Sequence, residues 1–128
     1  PLLRGVRGVL YLIQINHMKK SEIKFTVTLD ENHVPEKIEW SATDATEDKI
    51  RETKSILISL WDKDERNTLR MDLWTKDMMI DEMKHFFYQS IITMGDTYEQ
   101  ATNDKELANE IRNLGVKMGE KIRNEKFN

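Results

Sequence analysis

Residues 55–75 read SILISLWDKDERNTLRMDLWT. Ile56, Ile58 and Leu60 recur at every second position, as do Leu69, Met71 and Leu73, and the charged run Asp62 to Asn67 lies between them. That pattern is a β-hairpin with one apolar face. Pairing Leu60 with Leu69 sets Ile58 against Met71 and Ile56 against Leu73, so the register closes without a slip. The reverse side of the same strands then carries Leu57, Trp61 and Trp74 beside Ser59, Arg70 and Asp72. After Trp74 the period lengthens. Ile80, Met83, Phe87, Ile91, Met94, Tyr98 and Ala101 recur at steps of three and four, the stripe of a helix. Phe87, at the middle of that stripe, reads as core, and Thr75 or Asp77 can cap the helix start.

Working outward from this stretch, a second helix carries Leu107, Ile111, Leu114, Met118 and Ile122, with Asn103-Asp104 as the break and cap before it. Gly115 and Gly119 within it either permit close helix approach or let the helix fray. Upstream, Ile23, Phe25, Val27 and Leu29 alternate with polar residues, turn chemistry fills Asp30 to Pro35, and Ile38 and Trp40 alternate again. Pairing Leu29 with Ile38 puts Val27 opposite Trp40 and gathers both sets on one face. Residues Ser41 to Thr53 are polar and read as a connection with one helical turn around Ile50. The order is ββββαα. A four-stranded antiparallel sheet of two hairpins is expected, with Ile23, Phe25, Ile38, Trp40, Ile56, Ile58, Leu69 and Met71 on one face. The two helices are expected to pack on that face as a two-layer α+β sandwich.

The 128 residues hold 20 Lys+Arg against 23 Asp+Glu and no cysteine, for a net charge of −3. The length suits one domain with its own core. Without cysteine there is no disulfide, thiolate nucleophile or cysteine zinc site. The acidic balance argues against nucleic acid as a partner. Residues 1–17 differ in texture: they hold Arg4 and Arg7, no acid, and the apolar run Val9 to Ile13. That run is too short for a signal peptide or a membrane span, so no direct membrane insertion is expected. Residues 1–17 read as a disordered or spurious extension, with an extra edge strand or packing segment as the competing reading; Met18-Lys19-Lys20-Ser21 reads as the natural start and 18–128 as a single α+β domain.

Residues that could carry chemistry are sparse. Of His17, His33 and His85, only His85 falls on a regular element, where Glu82 and His85 make the Glu-x-x-His spacing of di-iron bundles. Such a site needs a second pair and further glutamates, and the sequence has no second pair. The serines lack a glycine-flanked nucleophile elbow. Gly5 and Gly8 lie in the extension, and Gly95, Gly115 and Gly119 within helix patterns, so no phosphate loop is visible. Asp62 and Asp64 are loop carboxylates open to water. No catalytic residue, cofactor or metal is expected. The side bearing Leu57, Trp61, Arg70, Asp72 and Trp74 has two readings. Trp and Arg are enriched at interface hot spots, which makes it an interaction face. Alternatively helix ends, the N-terminal extension or the 41–54 connection cover its rings.

Several segments resemble the gliding-motility protein family GldC. They are Ser21 to Phe25, Leu29 to Asn32, Val34 to Lys37, Thr68 to Met78, Asp81 to Lys84 and Ala101 to Asp104. The resemblance runs from Met18 to Ile122, leaves residues 1–17 without a counterpart, and departs where Met79 replaces an expected proline. It implies a soluble, cytoplasmic, non-enzymatic accessory protein of the Bacteroidota gliding machinery. The partner it implies is a protein of the gliding or secretion apparatus, and a homo-oligomer stays open. Two alternatives compete: a SecB-like export or assembly chaperone, which has the same strand-then-helix order, and a small metal protein or enzyme centred on Glu82 and His85.

Overall fold

The computed structural model describes residues 19–43 and 49–127, with side chains through Glu125. The expected extension over 1–17, the start at Met18, His17, and Asp44, Glu47 and Asp48 of the connection lie outside the described residues. The chain divides into two compact units between Lys76 and Asp77.

Among the described residues, the regular elements of the first unit are all β-strands. Strands β1 (Ile23–Leu29), β2 (Pro35–Ala42) and β3 (Arg51–Thr53) form one antiparallel sheet in that order. Strands β4 (Ser55–Trp61) and β5 (Thr68–Trp74) form a separate two-stranded antiparallel ribbon. The expected single four-stranded sheet is therefore replaced by sheets of three and two strands. The cause lies in the segment read as a connection with a helical turn at Ile50. Instead of a turn, Arg51 to Thr53 extend along β2, with Thr53 opposite Ile38 and Arg51 opposite Trp40. Polar groups hold this strand. The Arg51 guanidinium stands 5.9 Å from the centre of the Trp40 ring, and Lys37 Nζ lies 3.8 Å from Glu39 and 3.4 Å from Glu52. It neutralises two carboxylates that face each other across the ladder. A polar edge strand of three residues has no apolar alternation to betray it.

The first hairpin is also shifted by two residues from expectation. Val27 pairs with Ile38 and Phe25 with Trp40, while Leu29 meets Pro35. A shift of two preserves the faces, so the apolar sets still coincide. The turn sets the register. Asp30 Oδ1 accepts from the amides of Asn32 (2.8 Å) and Val34 (3.0 Å), and Asp30 N–H donates to Val34 O at 2.9 Å. The hairpin therefore closes over five residues, Asp30 to Val34, with His33 in the left-handed region at φ 63°. The second loop is built alike. Asp62 Oδ2 accepts from the amides of Asp64 and Glu65, Asp62 N–H donates to Asn67 O, and Arg66 sits at φ 55°.

The ribbon is rooted in the three-stranded sheet at its base. Lys76 N–H donates to Pro35 O at 3.0 Å, and Lys76 Nζ pairs with Glu36 at 3.0 Å and Asp30 at 3.2 Å. Thr75 N–H donates to Lys54 O, and the buried Ser55 hydroxyl donates to Leu73 O. Burial concentrates here. Of the eight residues expected on the core face, Ile38 and Ile56 are buried, whereas Ile23, Phe25, Leu69 and Met71 are exposed.

The second unit is an antiparallel helix pair, α1 (Ile80–Thr102) and α2 (Lys105–Phe127). The start of α1 falls later than Thr75 or Asp77: Met79 is the N-cap residue, and Glu82 accepts its N–H at 3.1 Å. Asn103, at φ 59°, ends α1. Asp104 begins α2 as expected, its carboxylate accepting from Leu107 N–H at 3.1 Å. The helices meet along Tyr88, Ile92, Gly95 and Glu99 on one side and Ala108, Arg112, Gly115 and Gly119 on the other. This seam sits one residue, about 100°, from each expected stripe. Because the helices run antiparallel, both stripes rotate to the same side of the pair. Phe87, Ile91, Met94, Leu107, Ile111 and Leu114 thus share one side, on which Phe87 is 40% exposed rather than core.

Candidate protein-interaction face

The ribbon's ladder places the five candidate residues on one side. Ile56 pairs with Leu73, Ile58 with Met71 and Leu60 with Leu69, as the alternation requires. Between these rungs Leu57 stands opposite Asp72, Ser59 opposite Arg70, Trp61 opposite Thr68 and Trp74 opposite Ser55. Side chains alternate across a strand, so Leu57, Trp61, Arg70, Asp72 and Trp74 share the second face. The structure brings together Leu57, Arg70 and Asp72 in the middle. It keeps the tryptophans apart, six residues along the ribbon, or about 20 Å at roughly 3.3 Å per residue. The face is a strip with an aromatic ring at each end.

Trp61 is 67% exposed and Trp74 54%. A buried tryptophan ring typically removes about 150–250 Å² from water, so two open rings are a substantial apolar surface for one ribbon. Between them Arg70 Nη2 donates to Asp72 Oδ1 at 3.0 Å. These residues are two apart on one strand, so the pair lies flat on the face and leaves a charged but internally balanced centre. An exposed pair of this kind contributes little to stability, and its groups stay available for exchange with a partner's. The opposite face of the ribbon also opens toward the loop, where Leu60, Leu69 and Met71 are exposed.

Other constellations are committed locally. Glu82 closes the start of α1, and the His85 ring packs edge-on against Tyr88 at 6.0 Å. Among the described residues no group of three or more His, Cys, Asp or Glu side chains could hold a metal ion. At a polar hollow lined by Leu29, Asp30, Glu31, Asn32, Glu36 and Lys76, the lysine pairs with Asp30 and Glu36. The amide of Val34 foremost, then that of Asn32 and the Lys76 ammonium, hold the Asp30 carboxyl below its ordinary range. Glu36 and Asp30 raise Lys76. Of the two readings of Gly115 and Gly119, close helix approach is the one seen; what residue patterning missed is that Gly95 joins the same seam and that a guanidinium bridges it. Arg112 reaches Asp96 at 3.0 Å, Glu99 at 2.8 Å and Asn109 at 2.7 Å.

Among the described residues no helix is long and apolar enough to cross a membrane. No curated protein and no solved structure matches the chain. A family model does, the gliding motility-associated protein GldC-like family, over residues 35–124. That span runs from the first residue of β2 through the ribbon with its tryptophan strip and into the last turns of α2. The match covers well over half of the sequence, and the chain belongs to the GldC-like, gliding motility-associated family.

Proposed function

We propose that the chain is a non-enzymatic accessory protein of the gliding apparatus of Bacteroidota. It works in the cytoplasm and docks a protein of the gliding or secretion machinery on the strip of Leu57, Trp61, Arg70, Asp72 and Trp74. The family assignment supports the process, and that family is not a known enzyme family. The observation that carries the docking reading is the exposure of both tryptophans on a single ribbon face. Large rings with two rotatable side-chain bonds lose little entropy on burial, and arginine adds a planar donor between them.

The test is affinity capture of the tagged chain from a gliding bacterium, wild type against the Trp61→Ala/Trp74→Ala double variant. Wild type should recover one or two gliding-apparatus proteins near stoichiometry. The variant should lose them and slow gliding while its circular dichroism and melting temperature stay unchanged. Undiminished capture by the folded variant overturns the assignment of this face.

The exposed Leu60, Leu69 and Met71 on the other side of the ribbon favour a second reading, a holdase for unfolded or exported clients. It requires suppression of client aggregation by the purified chain, an effect that Met71→Asp should weaken.

A further inference from the structure

We propose that β1 is a dimer edge, on which a second copy of this chain lays its own β1 antiparallel, with the two-fold axis at Val27. The proposal is independent of the tryptophan strip.

The main-chain geometry assigns the edge. Thr43 N–H donates to Glu22 O at 3.1 Å, and Glu22 N–H to Thr43 Oγ1 at 3.0 Å, so Glu22 faces β2. Main-chain groups alternate along an antiparallel strand, so Lys24, Thr26 and Thr28 also face β2. Ile23, Phe25, Val27 and Leu29 then turn their N–H and C=O outward, and among the described residues no strand pairs with them. The two borders of this sheet differ. The β3 border is three residues long and entirely polar, a form that discourages strand addition. The β1 border is seven residues long, lacks proline, carries one charge, Lys24, and exposes Ile23, Phe25 and Leu29. It has few of the features that keep an edge from recruiting another strand.

Charge complementarity identifies the occupant and the register. Centred on Val27, antiparallel self-pairing sets Lys24 opposite Asp30 of the second copy, twice by symmetry, where it joins Lys76 as a second cation beside that carboxylate. It also places Phe25 against Leu29 and Thr26 against Thr28. Opposite charges and aromatic–aliphatic pairs across a ladder are favourable. Centred on Thr26, Glu22 would face Asp30, and centred on Phe25, each Lys24 would lie diagonal to its own copy, both like-charge arrangements. The Val27 register also brings the outward-facing residues 25, 27 and 29 into hydrogen-bonded positions, as the alternation demands. The Phe25–Val27–Leu29 face would then continue unbroken into the second copy.

Two measurements on the full chain test this. The first is mass by sedimentation or light scattering over a hundredfold range of concentration, for wild type, Val27→Pro and Lys24→Glu. The Val27 N–H points away from β2, so proline there removes an outward donor and leaves the β1–β2 ladder intact. Wild type should double its mass as concentration rises. Val27→Pro should weaken dimerisation at least tenfold, and Lys24→Glu several-fold, an effect that salt diminishes. If Val27→Pro unfolds, Lys24→Glu decides. The second measurement exploits the absence of cysteine. Val27→Cys places its thiol beside its own copy and should cross-link readily, whereas Ile23→Cys, four residues from the axis, should not. A monomeric wild type overturns the proposal and leaves the edge to a strand of another protein. A dimer insensitive to both variants, or equal cross-linking at positions 23 and 27, overturns it as well.

Discussion

The helix pair closes almost backbone to backbone, whereas the β4–β5 ribbon touches its own kind only through a hydrogen-bonded ladder and leaves both faces broad. In the helices, three glycines set the separation. A Cβ at Gly95 would fall 2.8 Å from Arg112 Cγ and 3.1 Å from Ala108 O, and one at Gly115 would fall 2.5 Å from Ile92 Cγ1. Ala108, on the same seam, is fully buried. In the ribbon, the backbone fixes the strand spacing whatever the side chains are, so large rings such as Trp61 and Trp74 can occupy a face without disturbing the fold. Small residues mark where a helix touches its neighbour, and large ones on a ribbon mark where something else can.

The largest effect is expected in the β unit away from the ribbon's open end. Ile38 is 1% exposed, and Ile38→Ala should cost about 2–5 kcal/mol in urea unfolding, the usual range for a buried aliphatic truncation. Phe87→Ala should cost less, because its ring is 40% exposed. If the order were reversed, the apolar side of the helices would be the more important core.

The seam comes next. Gly115→Ala gains about 1 kcal/mol of helix propensity but forces Ile92 aside and crowds the backbone of α1. Overpacking of this kind costs about 1–3 kcal/mol, so a net loss is expected. At Gly119 the added methyl meets only the Tyr88 ring, 3.0 Å away, which can shift. Gly119→Ala should therefore be within about 1 kcal/mol of wild type. Equal effects at both positions would mean that the helices do not meet along this line.

The smallest effect concerns the turn that ties β1, β2 and the end of β5. Asp30 is held below its ordinary value by the amides of Val34 and Asn32 and by Lys76. The contribution of a carboxyl with a lowered folded value is present above the unfolded value of about 3.9 and is lost as pH falls through the folded value. Stability should drop as the solution is acidified below about pH 4, and Asp30→Asn should flatten that dependence. An Asp30 carboxyl titrating at the ordinary value in a carbon-13 experiment would remove the turn from this role.

The ribbon was legible because its alternation is strict and a slip of one residue would have turned Ile56, Ile58 and Leu60 to the other face. All three expected rungs are present, and the five candidate residues fall on one side together. The first hairpin shows the limit of that logic: a slip of two keeps the faces, so alternation could not choose between Leu29–Ile38 and Val27–Ile38. The Asp30 turn chose. The third strand was illegible because Arg51-Glu52-Thr53 carries no apolar pattern, and its pairing depends on Trp40 and Lys37 of a neighbour far along the chain. Along the helices the stripes were correct as patterns, but a stripe gives only the apolar side and not the line of contact.

By itself, then, the sequence determined four of the five strands and both helices, the ribbon register, the shared face of Leu57, Trp61, Arg70, Asp72 and Trp74, the break at Asn103-Asp104 and the resemblance to its family. These follow from local periodicity, turn chemistry and motif, which need no distant partner. Tertiary structure alone decided that the strands divide three and two, and that glycines rather than the apolar stripes join the helices. Each depends on which backbone approaches which across many residues, and steric fit and hydrogen-bond closure settle that only once the chain has folded.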